Sequence, residues 1–199
     1  MDYCRSVMSE DKKRRVDRFR SENDKKRTIT GELLARQMIA SQCRISPENI
    51  TFSLTEKGKP FVPDLPVKFS ISHSGEYVLC TVSDCSVGAD IEKLRNVNDR
   101  LIYRVCAENE KRYVAEKGIS QAEKNRRFMR VWTGKEAYFK YLGTGITALK
   151  EVDIFDDAIQ RKMTCFYYDN YTVSIFVDCI PVMQDKTSFQ KLKFRGQQN

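Results

Sequence analysis

The sequence holds a single histidine and a single tryptophan in 199 residues. One histidine cannot build a His-rich metal cluster. The seven cysteines, at 4, 43, 80, 85, 106, 165 and 179, include no C-x-x-C pair, which argues against a zinc ribbon or finger. No run reaches the roughly 18 apolar residues of a membrane span. The most apolar stretch, Val173 to Val182, is broken by Asp178 and Pro181. Arg5, Glu10 and Asp11 interrupt any apolar leader core near the start, so no signal segment is expected. There is no repeat and no low-complexity tract. These absences point to a globular, cytoplasmic protein with no membrane contact. In a reducing compartment most of its thiols are expected to serve as small buried apolar residues.

What is present is an ordinary globular balance, 41% apolar and 31% charged, which excludes collagen-like and disordered classes. The length suits one domain or two small ones. Lys plus Arg is 35 against 27 for Asp plus Glu, a net charge of +8. That excess favours anionic partners without choosing among phosphates, acidic proteins, nucleic acid or lipid. Residues 11–27 carry most of a basic run, DKKRRVDRFRSENDKKR. A basic nucleic-acid-binding protein is therefore one reading, but no zinc finger, RNP pattern or recognition helix accompanies the run. Asp11, Asp17, Glu22 and Asp24 also interleave it.

Hydrophobic spacing predicts a helix over Thr28 to Ser41, with Ile29, Leu33, Leu34, Met38 and Ile39 on its core face and Thr28 or Thr30 as cap. The run before it reads as a solvated helix and turn. Short strands are expected at Thr51 to Leu54, Phe69 to Ser72, Tyr77 to Val82 and Val87 to Glu92. His73-Ser74-Gly75 is expected to break the second. Helices follow over Asp99 to Lys117, with a break near Ala107, and over Ala122 to Leu142, ended by Gly143-Thr144-Gly145. Strands are expected again at Val152 to Phe155, Met163 to Tyr168 and Tyr171 to Val177, with a turn at Asp169-Asn170. The last dozen residues are polar and basic and are expected to fray. The order reads as α+β or α/β, with an N-terminal half at 1–86 and a C-terminal half at 87–199 that carries the metal-binding pattern.

Four short segments carry chemistry. In Val87-Gly88-Ala89-Asp90-Ile91-Glu92, alternation puts Asp90 and Glu92 on one face about 7 Å apart, a donor pair suited to a hard cation such as Mg²⁺. Alone, it is also an ordinary solvated strand face. In Trp132 to Lys140, Glu136 and Lys140 sit one helical turn apart, which reads either as a surface ion pair or as a carboxylate and an ammonium serving a metal and a phosphate. Ser72-His73-Ser74 at a strand end suits an anion, and Gly58-Lys59-Pro60 is a turn with a lysine at its tip.

Together and in this order, the segments resemble the 4'-phosphopantetheinyl transferases, closest to the surfactin-synthetase-activating type. The resemblance rests on Gly58-Lys59-Pro60, Ser72-His73-Ser74, Gly88-Ala89-Asp90-Ile91-Glu92 and Trp132-Thr133-Gly134-Lys135-Glu136 through Lys140. Arg27-Thr28-Ile29-Thr30-Gly31-Glu32 looks like the family's early helix start. The match runs over about residues 10–145. It implies two similar α/β halves related by a pseudo-twofold, with coenzyme A in the cleft between them. The implied reaction moves the phosphopantetheine arm of coenzyme A onto a serine of an apo acyl or peptidyl carrier protein and releases 3',5'-ADP. Carried over residue by residue, Asp90, Glu92 and Glu136 hold Mg²⁺, or Mn²⁺, with the pyrophosphate, and Lys140 lies beside it. Lys59, Ser72 and His73 take the nucleotide end, His73 at the 3'-phosphate. Lys12, Arg15 and Thr28 match further coenzyme positions. The serine proton goes to Glu136 or Glu92. A monomer is expected, and the carrier and its pathway stay open, as does a relative that binds carriers without transferring.

Some positions depart from the family pattern. Only Met1 to Ser9 precede the basic run, little room for the first strand of longer members. Ala89 replaces a bulkier residue, Gly134 stands where a helix former is usual and gives room for the coenzyme, and Ala107 stands where Ser or Thr often caps the next helix.

Overall fold

The computed structural model describes residues 8–179. The fraying expected at the C-terminus, most of the segment before the basic run with its little room for a first strand, and Cys4 lie outside the described residues. Within them the fold is mixed α and β. Helix α1 (Glu10–Asp17) leads into α2 (Glu22–Cys43). Helix α2 begins before Thr28 because Ser21 is the better cap: its hydroxyl accepts from Asp24 N at 3.3 Å, and Glu22 and Asp24 complement the dipole of the first turn. A 3₁₀ turn (Pro47–Asn49) follows, then the short pair β1 (Ser53–Leu54) and β2 (Pro60–Phe61).

Strands β3 (Lys68–Ser74) and β4 (Tyr77–Ser83) form an antiparallel hairpin in register from Lys68↔Ser83 to Ser74↔Tyr77. His73 and Ser74 continue the strand instead of breaking it. The turn falls one step later, on Gly75, whose φ of 53° suits glycine. Strand β5 (Val87–Lys93) pairs with β7 (Tyr171–Val177), which pairs with β6 (Met163–Tyr168), all antiparallel. Between them run α3 (Asp99–Val105), α4 (Glu108–Val114), the long α5 (Gln121–Leu142) and α6 (Asp157–Gln160). The break between α3 and α4 falls at Cys106-Ala107; Ala107 offers no side-chain cap, but Glu110 folds back and its Oε2 accepts from Ala107 N at 2.7 Å.

Val152 to Phe155 forms no strand. Its backbone groups are taken by buried side chains instead. Glu110 Oε1 accepts from Ile154 N at 2.9 Å, and Lys135 Nζ donates to the carbonyls of Leu149 and Val152. With its hydrogen bonds met this way, the segment has no need of a ladder.

One core lies between α2 and the β3–β4 hairpin, around Ala35, Ile39, Val67 and Phe69. Another lies under α5, around Val105, Val114, Phe128, Met129 and Ile154. Cys80 and Cys106 are buried in them, whereas Cys43, Cys85, Cys165 and Cys179 are only partly buried, so the expectation of mostly buried thiols does not hold here.

Two close approaches set the geometry. A methyl carbon on Gly88 would lie 1.9 Å from Ala137 O and 2.4 Å from Tyr141 N, so α5 rests directly on β5. One on Gly31 would lie 2.9 Å from Ile71 Cγ2, so α2 rests closely on β3. The room at Gly134, by contrast, is filled by Met163 and Ile154 on the core side, 3.1 and 3.2 Å from where a methyl would sit. It gives no room to a coenzyme.

Gly88→Ala is expected to be far more damaging than a surface change, because the methyl would meet backbone that cannot swing away. Urea unfolding should show a loss of more than about 3 kcal/mol, or no folded protein.

Candidate active site: carboxylates, an ammonium and a serine row

Alternation along β5 puts Gly88, Asp90 and Glu92 on the face covered by α5, while Ile91 packs on the other face with Tyr171 and Val173. The absence of a side chain at Gly88 brings α5 down onto that face. Glu136 and Lys140, one turn apart on α5, then stand over the strand. Lys140 Nζ lies 2.6 Å from Asp90 Oδ1.

The third wall is β3. Its alternate residues Ser70, Ser72 and Ser74 all reach β5. Ser70 Oγ accepts from Ala89 N at 3.0 Å, Ser72 Oγ donates to Asp90 Oδ1 at 2.6 Å, and Ser74 Oγ donates to Glu92 Oε2 at 2.8 Å while accepting from Lys93 N at 3.1 Å. The contacts advance together, so the two strands run side by side in the same direction, joined by hydroxyls in place of a backbone ladder. Lys140 Nζ also donates to Ser72 Oγ at 3.0 Å. Ser70 and Ser74 were legible in the sequence only as every-second-residue serines in Phe69 to Ser74, a signal that names no partner strand.

The electrostatics are strained. Asp90 is 3% exposed and its Oδ2 is buried with no hydrogen-bond partner among the described residues. Burial pushes the Asp90 carboxyl up, while Lys140 and Ser72 pull it back. Glu136 is pushed up to about 7, first by burial and then by the charge of Asp90, with Glu92 adding to it against Lys140. Three carboxylates thus share one ammonium. All their donors are hard oxygens, and the orphan Asp90 Oδ2 together with the raised Glu136 fits a site built for a further cation. Their oxygens do not all converge within 4.8 Å of one another; among the described residues the one trio of potential ligands that does is Asp84, Cys85 and Cys179.

Glu136 and Lys140 also line a cleft of about 400 Å³ with Lys59, Ser70, Ile71 and Phe139. Lys59, expected at a nucleotide, here donates to the carbonyls of Lys140 and Tyr141 and caps the C-terminal end of α5. Burial holds its pKa below the usual lysine value, with Lys68 adding to that. His73 is exposed on β3. The protein mass beside its ring, then the Arg27 guanidinium, hold its pKa below the usual value, and Lys140 adds to this. Arg27 itself ties α2 to the hairpin turn, donating to Gly75 O at 2.9 Å.

Lys12, Arg15 and Thr28 are not brought against the carboxylates. Lys12 Nζ lies 3.8 Å from Glu32 Oε2, Arg15 is exposed on α1, and Thr28 is half-buried on α2. Glu32 is chiefly bound to Arg36, whose guanidinium also holds the Pro47 and Ile50 carbonyls. Three cations of the basic run are paired locally, Lys13 with Glu10, Lys25 with Glu22 and Arg27 with Asp24.

One motif residue acts on structure alone. Lys135 is 0% exposed and pairs with the equally buried Glu110 at 2.7 Å. It joins α5 to α4 and to the loop before Ile154. The sequence places it beside Glu136 but says nothing of a burial partner 25 residues away.

The chain is also similar to known proteins. Residues 2–85 match the family described as 4'-phosphopantetheinyl transferase, N-terminal, and residues 86–181 match the 4'-phosphopantetheinyl transferase superfamily. The chain is 35% identical over 145 residues to the 4'-phosphopantetheinyl transferase gsp of Aneurinibacillus migulanus, covering 73% of this chain and 60% of that protein. It is 34% identical over 143 residues to the 4'-phosphopantetheinyl transferase Sfp of Bacillus subtilis, covering 71% and 63%. It is 30% identical over 156 residues to the 4'-phosphopantetheinyl transferase HetI of a Nostoc species, covering 75% and 65%. The chain thus spans less than two thirds of the length of these relatives.

Two outcomes are expected here. Between the usual 4.5 and about 7, folded Glu136 holds a proton that the unfolded chain has lost. Metal-free protein should therefore lose stability as pH rises through that window, by roughly 1–2 kcal/mol after solvent screening, and level off above it. Glu136→Gln should flatten the curve in a pH series of thermal melts. Separately, Lys135→Ala should cost about 3–5 kcal/mol by stranding Glu110, and Lys135→Met with Glu110→Leu should recover most of it. Urea titrations of the single and double variants measure this directly.

Proposed function

The chain belongs to the 4'-phosphopantetheinyl transferase superfamily, and on that premise we propose that it moves the phosphopantetheine arm of coenzyme A onto a serine of an apo acyl or peptidyl carrier protein, releasing 3',5'-ADP. The observation that carries this reading is the gathering of Asp90, Glu92, Glu136 and Lys140 on one face, with a buried carboxylate oxygen that lacks a partner among the described residues. An enzyme that handles a pyrophosphate needs such a set.

Asp90, Glu92 and Glu136 are the residues that would hold Mg²⁺ or Mn²⁺. Bound there, the ion neutralises the non-bridging pyrophosphate oxygens and the mutual repulsion of the carboxylates. Lys140 stands between Ser72 and Asp90 and donates to the oxygen on which charge develops as 3',5'-ADP departs. The carrier serine Oγ attacks the phosphorus that bears the pantetheine arm, and the bond from that phosphorus to 3',5'-ADP breaks.

Glu136 is better suited than Glu92 to take the serine proton. It lines the cleft with Lys140, whereas Glu92 is engaged by Ser74. His73, beside Arg27 and Lys140, suits the 3'-phosphate at the nucleotide end, with Ser72 and Lys59 nearby. Lys12, Arg15 and Thr28 serve the coenzyme only if it extends along α1 and α2.

The reading carries with it two similar α/β halves about a pseudo-twofold, divided near residue 86, with the coenzyme in the cleft between them, acting as a monomer. No helix among the described residues is long and apolar enough to cross a membrane, in keeping with a cytoplasmic enzyme. The net charge of +8 steers acidic carriers toward it.

Intact-mass spectrometry of apo carriers incubated with the protein, coenzyme A and Mg²⁺ tests the reading. A gain of one phosphopantetheine, abolished by EDTA, is the expected result; no gain on any carrier, without coenzyme binding, overturns it. Glu136→Gln should fold normally by circular dichroism and transfer more than about 100-fold more slowly.

A further inference from the structure

Away from the carboxylates, the other end of the β5–β7 ladder carries two cysteines that the proposed reaction does not use. We propose that Cys85 and Cys179 are a site of reversible oxidation, closing into a disulfide by exchange with a low-molecular-weight disulfide such as glutathione disulfide.

The register carries the argument. The last ladder pair is Val87↔Val177. One step further, Asp178 N donates to Ser86 O at 3.1 Å, so Ser86 and Asp178 form a hydrogen-bonded pair. Cys85 and Cys179 follow in the bends just beyond the ladder. Continued by one step, the register would set them opposite each other in a non-hydrogen-bonded position, where Cα atoms lie about 4.5 Å apart, inside the range a disulfide spans. The two sulfurs, with an Asp84 oxygen, all lie within 4.8 Å of one another. Both cysteines are partly exposed, unlike Cys80 and Cys106, which the cores enclose.

The local charges bear on how fast the pair reacts. The hydrogen bond that the Cys85 thiol donates to Cys179, then burial, push Cys85 up to about 12, and Asp84 adds its negative charge. Little Cys85 thiolate forms at neutral pH, so attack by its sulfur quickens as pH rises.

The chemistry balances without a metal. One protein thiolate attacks a sulfur of the donor disulfide, and a donor thiolate leaves. The second protein thiolate attacks the resulting mixed disulfide and expels the other donor thiolate. The two protons lost by the protein end on the donor thiols. The cross-link staples the flank of β5, the strand that bears Asp90 and Glu92, to the end of β7. Excess dithiol reverses it.

The test treats the purified full chain with glutathione disulfide in chelator-containing buffer at pH 7 and pH 8.5, followed by intact-mass and peptide mapping. The expected product has lost two hydrogens, carries a Cys85–Cys179 linked peptide and forms several-fold faster at the higher pH. In Cys85→Ser and in Cys179→Ser, the remaining cysteine should instead keep a stable glutathione adduct. A lasting adduct on the unmutated pair overturns the proposal, as does a bridge to a different cysteine, or reaction at Cys43 while Cys85 and Cys179 stay reduced.

Discussion

The arrangement depends on how closely helix α5 lies on strand β5. At Gly88 there is no side chain to hold the two apart, and the carbonyl of Ala137 occupies the space a methyl would need. A helix carried further out by one methylene layer would lift Glu136 and Lys140 away from Asp90 and Glu92, and the charges would meet water in place of each other. A backbone constraint at one residue thus sets the electrostatics of four. The glycine of the G-x-D-x-E segment acts through packing, and the acids that follow it act through charge.

The second constraint is the row of hydroxyls on β3. Ser70, Ser72 and Ser74 join the N-terminal hairpin to β5 through side chains, where a continuous sheet would have used backbone. Two of the three also grip the acids themselves. The seam between the hairpin and the C-terminal sheet and the floor of the candidate site are therefore the same set of bonds. Hydroxyl seams are adaptable: a hydroxyl can exchange acceptors when a ligand or cation changes the charge beside it, whereas a ladder bond cannot. The surrounding apolar cores stay closed while the seam carries the polar work.

Charge is left unbalanced on purpose. Lys140 pairs with Asp90 and also tempers Glu136, Asp90 keeps a buried oxygen without a partner among the described residues, and Glu136 is still driven toward neutrality. Compare Lys135 and Glu110 on the same helix and its neighbour. That pair is fully buried, and each member meets its remaining demands on backbone groups. A satisfied buried pair holds structure; an unsatisfied group of like charges at a cleft stores the tendency to bind a cation or a proton. The two lie one residue apart in the chain, and only their surroundings separate their roles.

The sequence by itself determined the chemistry available and most of the elements. Alternation put Asp90 and Glu92 on one face, helical spacing put Glu136 with Lys140, and the order of the short segments identified the family. Those features are local, and period and residue type carry them. Where it misread, a distant partner decided the outcome. Ser21 outcompeted Thr28 as the cap of α2, Glu110 and Lys135 took the hydrogen bonds that would have made a strand of Val152 to Phe155, and Gly134 faced Ile154 and Met163 rather than a ligand. Tertiary structure alone decided that Lys59 caps α5, that alternate serines of β3 find β5, and that the sulfurs of Cys85 and Cys179 come close. Each depends on contacts between segments far apart in the chain, whose relative placement follows from packing and not from any local pattern.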